Sequence, residues 1–160
     1  MAKKTLIIAT VAAAALAAAT VLYFTSAGAK AERAFISPSD AALVARGKDI
    51  YAQHCASCHG ASLEGQPEWR RRLANGRLPA PPHDETGHTW HHADAVLIDI
   101  VKNSLVPGRT APDGYQTDMP AYGKTLSEEE IVAVLAYIKS NWPPDALEMQ
   151  KSVTLEHAKR

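Results

Sequence analysis

Polar and apolar positions divide this chain into one long apolar block and three shorter helical stripes. After Met1-Ala2-Lys3-Lys4, no charged side chain occurs from Thr5 to Ala29. That run exceeds the roughly 20 residues a helix needs to cross a bilayer. A helix apolar all round has no face to offer water, so a membrane anchor or export signal is expected rather than a core helix. The two lysines before it place its start in the cytoplasm and the rest of the chain outside. Ala27-Gly28-Ala29 has the small-x-small form of a cleavage site, but the apolar run is longer than the usual signal core of about 7 to 15 residues. A retained anchor is the preferred expectation, with a soluble exported form after cleavage near Ala29 as the alternative.

Residues 30–37 then form a short tether. A helix is expected to open at "SPSD", with Ser37 as cap, Pro38 in the first turn and Asp40 near the positive end of the dipole. Leu43, Gly47, Ile50 and Tyr51 make one apolar stripe that runs into Cys55. Gly47 lies on that stripe, where the missing side chain lets another backbone come close. A second helix is predicted in "HHADAVLIDIVKNS", with Val96, Leu97, Ile100 and Val101 on its buried face. The clearest is "LSEEEIVAVLAYIKSNWPP", where Ser127 and Glu130 form a capping box and Leu126 and Ile131 a hydrophobic staple. Ile131, Val134, Leu135 and Ile138 continue it at helical spacing, and Pro143-Pro144 is read as its stop.

Nothing alternates with period two and no internal repeat occurs, so the exported part reads as all-α with long connections. The longest connection, residues 61–92, suggests a functional loop or one wrapped around something large. Three short helices make a thin core for so much loop, and a further apolar body is expected to fill it. The resulting division is an anchor or signal at 1–29, a tether at 30–37, one domain at 38–143 and a C-terminal tail at 144–160.

Composition refines this picture only slightly. At 160 residues, 46% of them hydrophobic, the chain suits one membrane-associated segment plus one small domain. Lys+Arg and Asp+Glu balance at 17 each, which argues against nucleic acid as the main partner.

The chemistry is concentrated in "YAQHCASCHGASL". Cys55 and Cys58 are the only cysteines, and His59 follows at once. A disulfide would leave the histidine unexplained. A zinc site would have to recruit distant histidines such as His83 and His88, and a thioredoxin-like pair needs a strand-helix-strand setting that is missing here. Cys-x-x-Cys-His instead matches covalent haem attachment, with two thioethers on the haem vinyl groups and His59 delivered to one face of the iron. Export agrees with it, and a haem supplies the missing apolar bulk. For the other face, Met119 lies in a loop shortly before Ser127 with Pro120 behind it, whereas Met1 and Met149 lie outside the domain core. The rival ligands are His83, His88, His91 and His92. His54, one residue before the pair, is read as a neighbour of the haem edge.

"GKDIYAQHCASCHG" followed by "TDMPAYGKTLSEEEIVAVLAYIKS" resembles the monohaem class I cytochromes c of bacteria, over residues from about 39 to 142. The resemblance implies a fold of three core helices wrapped around one covalently bound haem c. An N-terminal helix would cross a C-terminal one, so that Gly47 and Tyr51 meet the face of Leu135 and Ile138. It implies Cys55 and Cys58 as attachment points, and His59 and Met119 as axial iron ligands. It also implies a proline carbonyl, from Pro79, Pro81 or Pro82, accepting the bond from the proximal histidine. Trp90 is placed to donate its indole N–H to a haem propionate. The chain departs from small family members in its loop "PEWRRRLANGRLPAPPHDETGHTWHHAD". There Arg70, Arg71, Arg72 and Arg77 suit a solvated face, propionates or an acidic partner, and the four histidines raise the question of a second metal.

The implied function is one-electron transfer rather than enzyme catalysis, since a His/Met iron leaves no open position and no acid–base or nucleophile constellation accompanies it. Implied partners are a bc-type complex, a dehydrogenase or a terminal oxidase on the periplasmic side of a bacterial inner membrane. The alternatives are a cytochrome subunit of such a complex and a haem-based sensor.

Overall fold

The structure, a computed structural model, describes residues 18–20, 22–23 and 34–160. The chain divides into two compact units, Met1–Arg33 and Ala34–Arg160. The expected membrane segment, residues 5–29, lies almost wholly outside the described residues. Among the described residues, no helix is long and apolar enough to cross a membrane.

In the second unit, α1 spans Ala41–His54 and runs through Cys55 into a single turn, α2, at Ala56–His59. After a long loop, a short 3-10 turn at Thr89–His91 leads into α3, Asp94–Asn103. A second loop precedes α4, Glu128–Ser140, and then α5, Pro144–His157. The described residues contain no β-strand, as the lack of period-two alternation predicts.

The start of α1 differs from expectation in an informative way. Asp40, not Ser37, is the cap: its carboxylate accepts from the backbone N–H groups of Ala42 (2.9 Å) and Leu43 (3.1 Å). Ser37 instead engages Ser39, with 2.9 Å between the two hydroxyls. The residue before it, Ile36, is buried, and both its backbone groups are held by side chains of α3 and α4. Backbone fixed there is unavailable for a helical turn, so the helix begins later.

The core lies where α1 crosses α4. Gly47 of α1 packs against Ala133 and Tyr137 of α4, and the Tyr51 ring lies 5.3 Å from that of Tyr137, so the contact falls on a different face from the expected Leu135 and Ile138, which with Ile131 and Val134 are nearly inaccessible in the same core. The capping box of Ser127 and Glu130 forms as the sequence predicts. At the crossing, a Cβ on Gly47 would overlap the carbonyl of Ala133. That obstacle is backbone and cannot rotate away. Gly47→Ala is therefore expected to lower the unfolding free energy by about 1–3 kcal/mol, the usual cost of overpacking. A urea titration reads this as a lower midpoint, and an unchanged midpoint would mean the helices separate without cost.

The segment expected to be a C-terminal tail is a helix packed on the domain. Proline removes a donor that is unbonded anyway at the first helical position, so Pro144 opens α5 just beyond the end of α4. Ala146, Gln150 and Thr154 are its buried residues, spaced one turn apart. Two of the three are polar, which is why hydropathy gives no stripe.

Those polar groups belong to a buried network. The Asp94 carboxylate accepts from Lys139 Nζ (2.7 Å), Ile36 N–H (2.7 Å) and Gln150 Nε2 (2.8 Å). Lys139 also donates to the Ile36 carbonyl at 2.8 Å and sits 4.0 Å from the Phe35 ring centroid. The side chains of Asp94 and Lys139 are 0% exposed. One ion pair thus joins the residues before α1 to α3, α4 and α5.

Candidate functional site

The end of α1 delivers the cysteine pair. α1 leads into Cys55, and α2 places Cys58 and His59 one turn further on, with backbone bonds from Cys58 (3.1 Å) and His59 (2.9 Å) to the Cys55 carbonyl. Gly60 then turns the chain away at φ 83°, a conformation that suits glycine. Tyr51, buried below, donates its hydroxyl to the carbonyls of His59 (3.3 Å) and Gly60 (3.0 Å). This turn is consequently tied to the helix crossing. The thiols are free, Cys55 half-buried and Cys58 exposed. Burial, and secondarily the nearby Cys58, pushes the Cys55 thiol up to about 11. A redox thiol needs the opposite shift, so a thioredoxin-like role is disfavoured.

One ring nitrogen of His59 is held by the backbone. Its Nδ1 lies 2.8 Å from the carbonyl of Pro81, which selects Pro81 among the three candidate prolines. A carbonyl can only accept, so Nδ1 holds the proton and the Nε2 lone pair is left bare, the arrangement a metal-bound histidine requires. Burial lowers its proton affinity and outweighs the opposing effect of the Pro81 bond. The ring is therefore neutral near pH 7.

Behind His59, the loop of residues 61–88 closes on itself. Its neck is formed by Gln66 and Ala80, bonded backbone to backbone at 2.9 Å and by the Gln66 side chain at 3.0 Å. His83 leaves this loop with its ring stacked on His59, 3.9 Å between centroids and 16° between planes. A ring lying face to face with His59 is beside it rather than opposite it. The other histidines lie near one another: His88 stacks on Trp69 at 5.4 Å and meets His92 edge-on at 5.5 Å, and His91 stacks on Trp90 at 3.8 Å. Among the described residues, no group of three or more His, Cys, Asp or Glu is arranged to hold a metal ion.

Met119 lies half-buried in the loop between α3 and α4. Its carbonyl accepts from the Ser104 hydroxyl at 2.7 Å, and its N–H donates to Thr117 Oγ1 at 3.0 Å. Three residues later, Tyr122 donates its hydroxyl to the carbonyl of His54 at 2.6 Å, directly before Cys55. That bond fastens the methionine loop to the cysteine motif. Tyr122 had no signal in the sequence, because no spacing rule links it to a carbonyl 68 residues away.

Trp90 donates its indole N–H to the Glu85 carbonyl at 3.3 Å, while Trp142 donates a shorter bond, 2.7 Å, to the carbonyl of His83. The arginines mostly serve the loop. Arg70 lies over Trp69, Arg72 donates to the Gly76 carbonyl and Arg77 pairs with Asp118. The last contact joins the long loop to the segment that carries Met119.

Two free thiols, a neutral histidine with a bare Nε2 and a methionine loop fastened beside them fit a covalently held haem. Among curated proteins the chain is similar to the cbb3-type cytochrome c oxidase subunit CcoP of Azospirillum sp. (strain B510), 31% identical over 102 residues, 62% of this chain and 29% of that protein. It is also similar to an uncharacterized protein of Aquifex aeolicus (strain VF5), 29% identical over 126 residues, 69% of this chain and 83% of that one. A third relative is the cytochrome bc1 complex cytochrome c subunit of Corynebacterium diphtheriae, 27% identical over 111 residues, 69% of this chain and 32% of that subunit. The chain thus spans less than a third of the oxidase and bc1 subunits it matches. No solved structure gives a significant match. The family model for cytochrome c matches residues 44–142, from within α1 to just past α4. The chain therefore belongs to the cytochrome c family, a haem-dependent electron-transfer family, whose membership implies a covalently bound haem c, and Cys55 and Cys58 fit the Cys-x-x-Cys-His attachment motif.

Proposed function

We propose that this domain is a one-electron carrier, with His59 and Met119 as axial ligands, serving membrane or periplasmic redox complexes of a respiratory chain. The observation that carries this reading is His59 itself, with Nδ1 spent on Pro81 and Nε2 bare beside two free thiols. The bond from Tyr122 to His54 supports Met119 as its counterpart. When bound, the haem supplies the Fe(II)/Fe(III) couple, and a methionine ligand favours the reduced iron. The protein's part is to hold His59 neutral, fix Met119 through Ser104 and Thr117, and shield the site with the loop of residues 61–88. Trp90 is proposed to exchange its long bond to Glu85 for a propionate.

An absorption spectrum of the oxidised protein tests the ligand pair. The weak band near the red end that reports methionine–iron ligation is expected in the unmodified protein and absent in Met119→Ala. Its survival in the variant would assign the position to another residue.

Residues 5–29 are proposed to anchor the domain on the periplasmic side of the inner membrane, with cleavage near Ala29 as the alternative. The mass of the mature protein distinguishes them. A second reading, a subunit of a larger oxidase or bc1-type complex, is favoured by the two relatives that are subunits of such complexes. Co-purification of a stable complex would support it over a free shuttle.

A further inference from the structure

We propose that His83 is a positioning residue that sets the rotational orientation of the proximal ligand ring, His59. One bond from Nδ1 to Pro81 holds a single edge of that ring and leaves it free to tilt about the bonded edge. The His83 ring removes this freedom by lying nearly parallel against its face, 3.9 Å away at 16°.

His83 is itself immobilised. Its N–H donates to the Leu63 carbonyl at 2.8 Å, and its own carbonyl accepts from the Trp142 indole at 2.7 Å. Tyr51 meets it edge-on, with centroids 5.9 Å apart. Pro81 and Pro82, directly before it, restrict the backbone that connects the two contacts on His59. The chain thus grips one ring twice within three residues, by the Pro81 carbonyl and by the His83 face.

His83 Nδ1 is sealed from solvent without a partner. A polar atom left so is unfavourable, and it shows that the ring is held by its backbone and its face rather than by a hydrogen bond of its own. The plane of an axial imidazole determines how unpaired spin spreads over the macrocycle in the ferric state. His83 accordingly acts on the electronic structure of the site without touching the metal.

The proposal rests on His59 being the proximal ligand, and proton NMR of the oxidised full chain tests both. In a low-spin ferric haem protein, the order and spread of the strongly shifted haem methyl resonances report the ligand plane. His83→Phe, which keeps a flat ring, is expected to retain the order seen in the unmodified protein. His83→Leu, which removes the ring at similar bulk, is expected to change it. An unchanged pattern in folded His83→Leu would overturn the proposal, as would a changed one in His83→Phe. Should His83→Leu fail to fold by circular dichroism, the His83→Phe pattern alone decides. Absence of such resonances in the unmodified protein would overturn the ligation itself, and the proposal with it.

Discussion

Asp94→Ala is expected to lower the stability of the domain by about 3–5 kcal/mol, the cost of breaking a buried ion pair by removing one partner. The substitution strands the Lys139 charge and the Ile36 N–H at once, in a place with no solvent to replace the carboxylate, while the Gln150 amide keeps its bonds to the His92 carbonyl and Thr154. A buried pair is a weak net stabiliser compared with an apolar replacement. The double variant Asp94→Ala/Lys139→Met is therefore expected to recover part of the loss, and urea titrations of the three variants measure it. Equal losses in the single and double variants would show that the charge on Lys139 is not what makes the vacancy costly.

The same pair has a pH signature. Burial lowers the Lys139 ammonium to about 8, against the opposing pull of Asp94. The unfolded chain, with an ordinary lysine near 10.5, then binds more protons than the folded one between about 8 and 10.5. Stability contributed by this group rises with pH across that window and is lost as pH falls through 8. Lys139→Met should abolish that slope.

The second large effect concerns the haem. Unmodified protein should keep its haem absorbance on the polypeptide through denaturation and acid solvent extraction, because two thioether bonds cannot be washed away. Cys55→Ala/Cys58→Ala is expected to lose all of it, and either single variant to retain one bond. The double variant is also expected to unfold with less cooperativity, since the helix crossing is the main apolar contact left to a domain with a loop of nearly thirty residues. Haem that stays with the denatured double variant would place the attachment elsewhere.

Much of this was legible locally. The cysteine pair, its histidine, the apolar stripe ahead of it and the capping box of α4 are each encoded within a few contiguous residues. Gly47 was readable as a close-approach position because a glycine on an apolar stripe has few other uses. The start of α1 was not, because Asp40 prevails over Ser37 only once Ile36 is pinned from α3 and α4. α5 escaped the pattern because its buried residues are small or polar, and because a proline that ends one helix also opens the next. Tyr122 and His83 escaped because their value lies in what they touch.

By itself, then, the sequence determined the haem chemistry and the helical class, since attachment and helix periodicity are properties of short spacings that survive without a fold. Only the tertiary structure decided that the Pro81 carbonyl rather than that of Pro79 or Pro82 accepts the hydrogen bond from His59, that His83 lies beside His59 rather than across from it, and that Asp94 and Lys139 join the residues before α1 to three helices. Those are contacts between residues far apart in the chain. Their geometry is set by how whole helices and loops pack, and no local pattern of side chains encodes it.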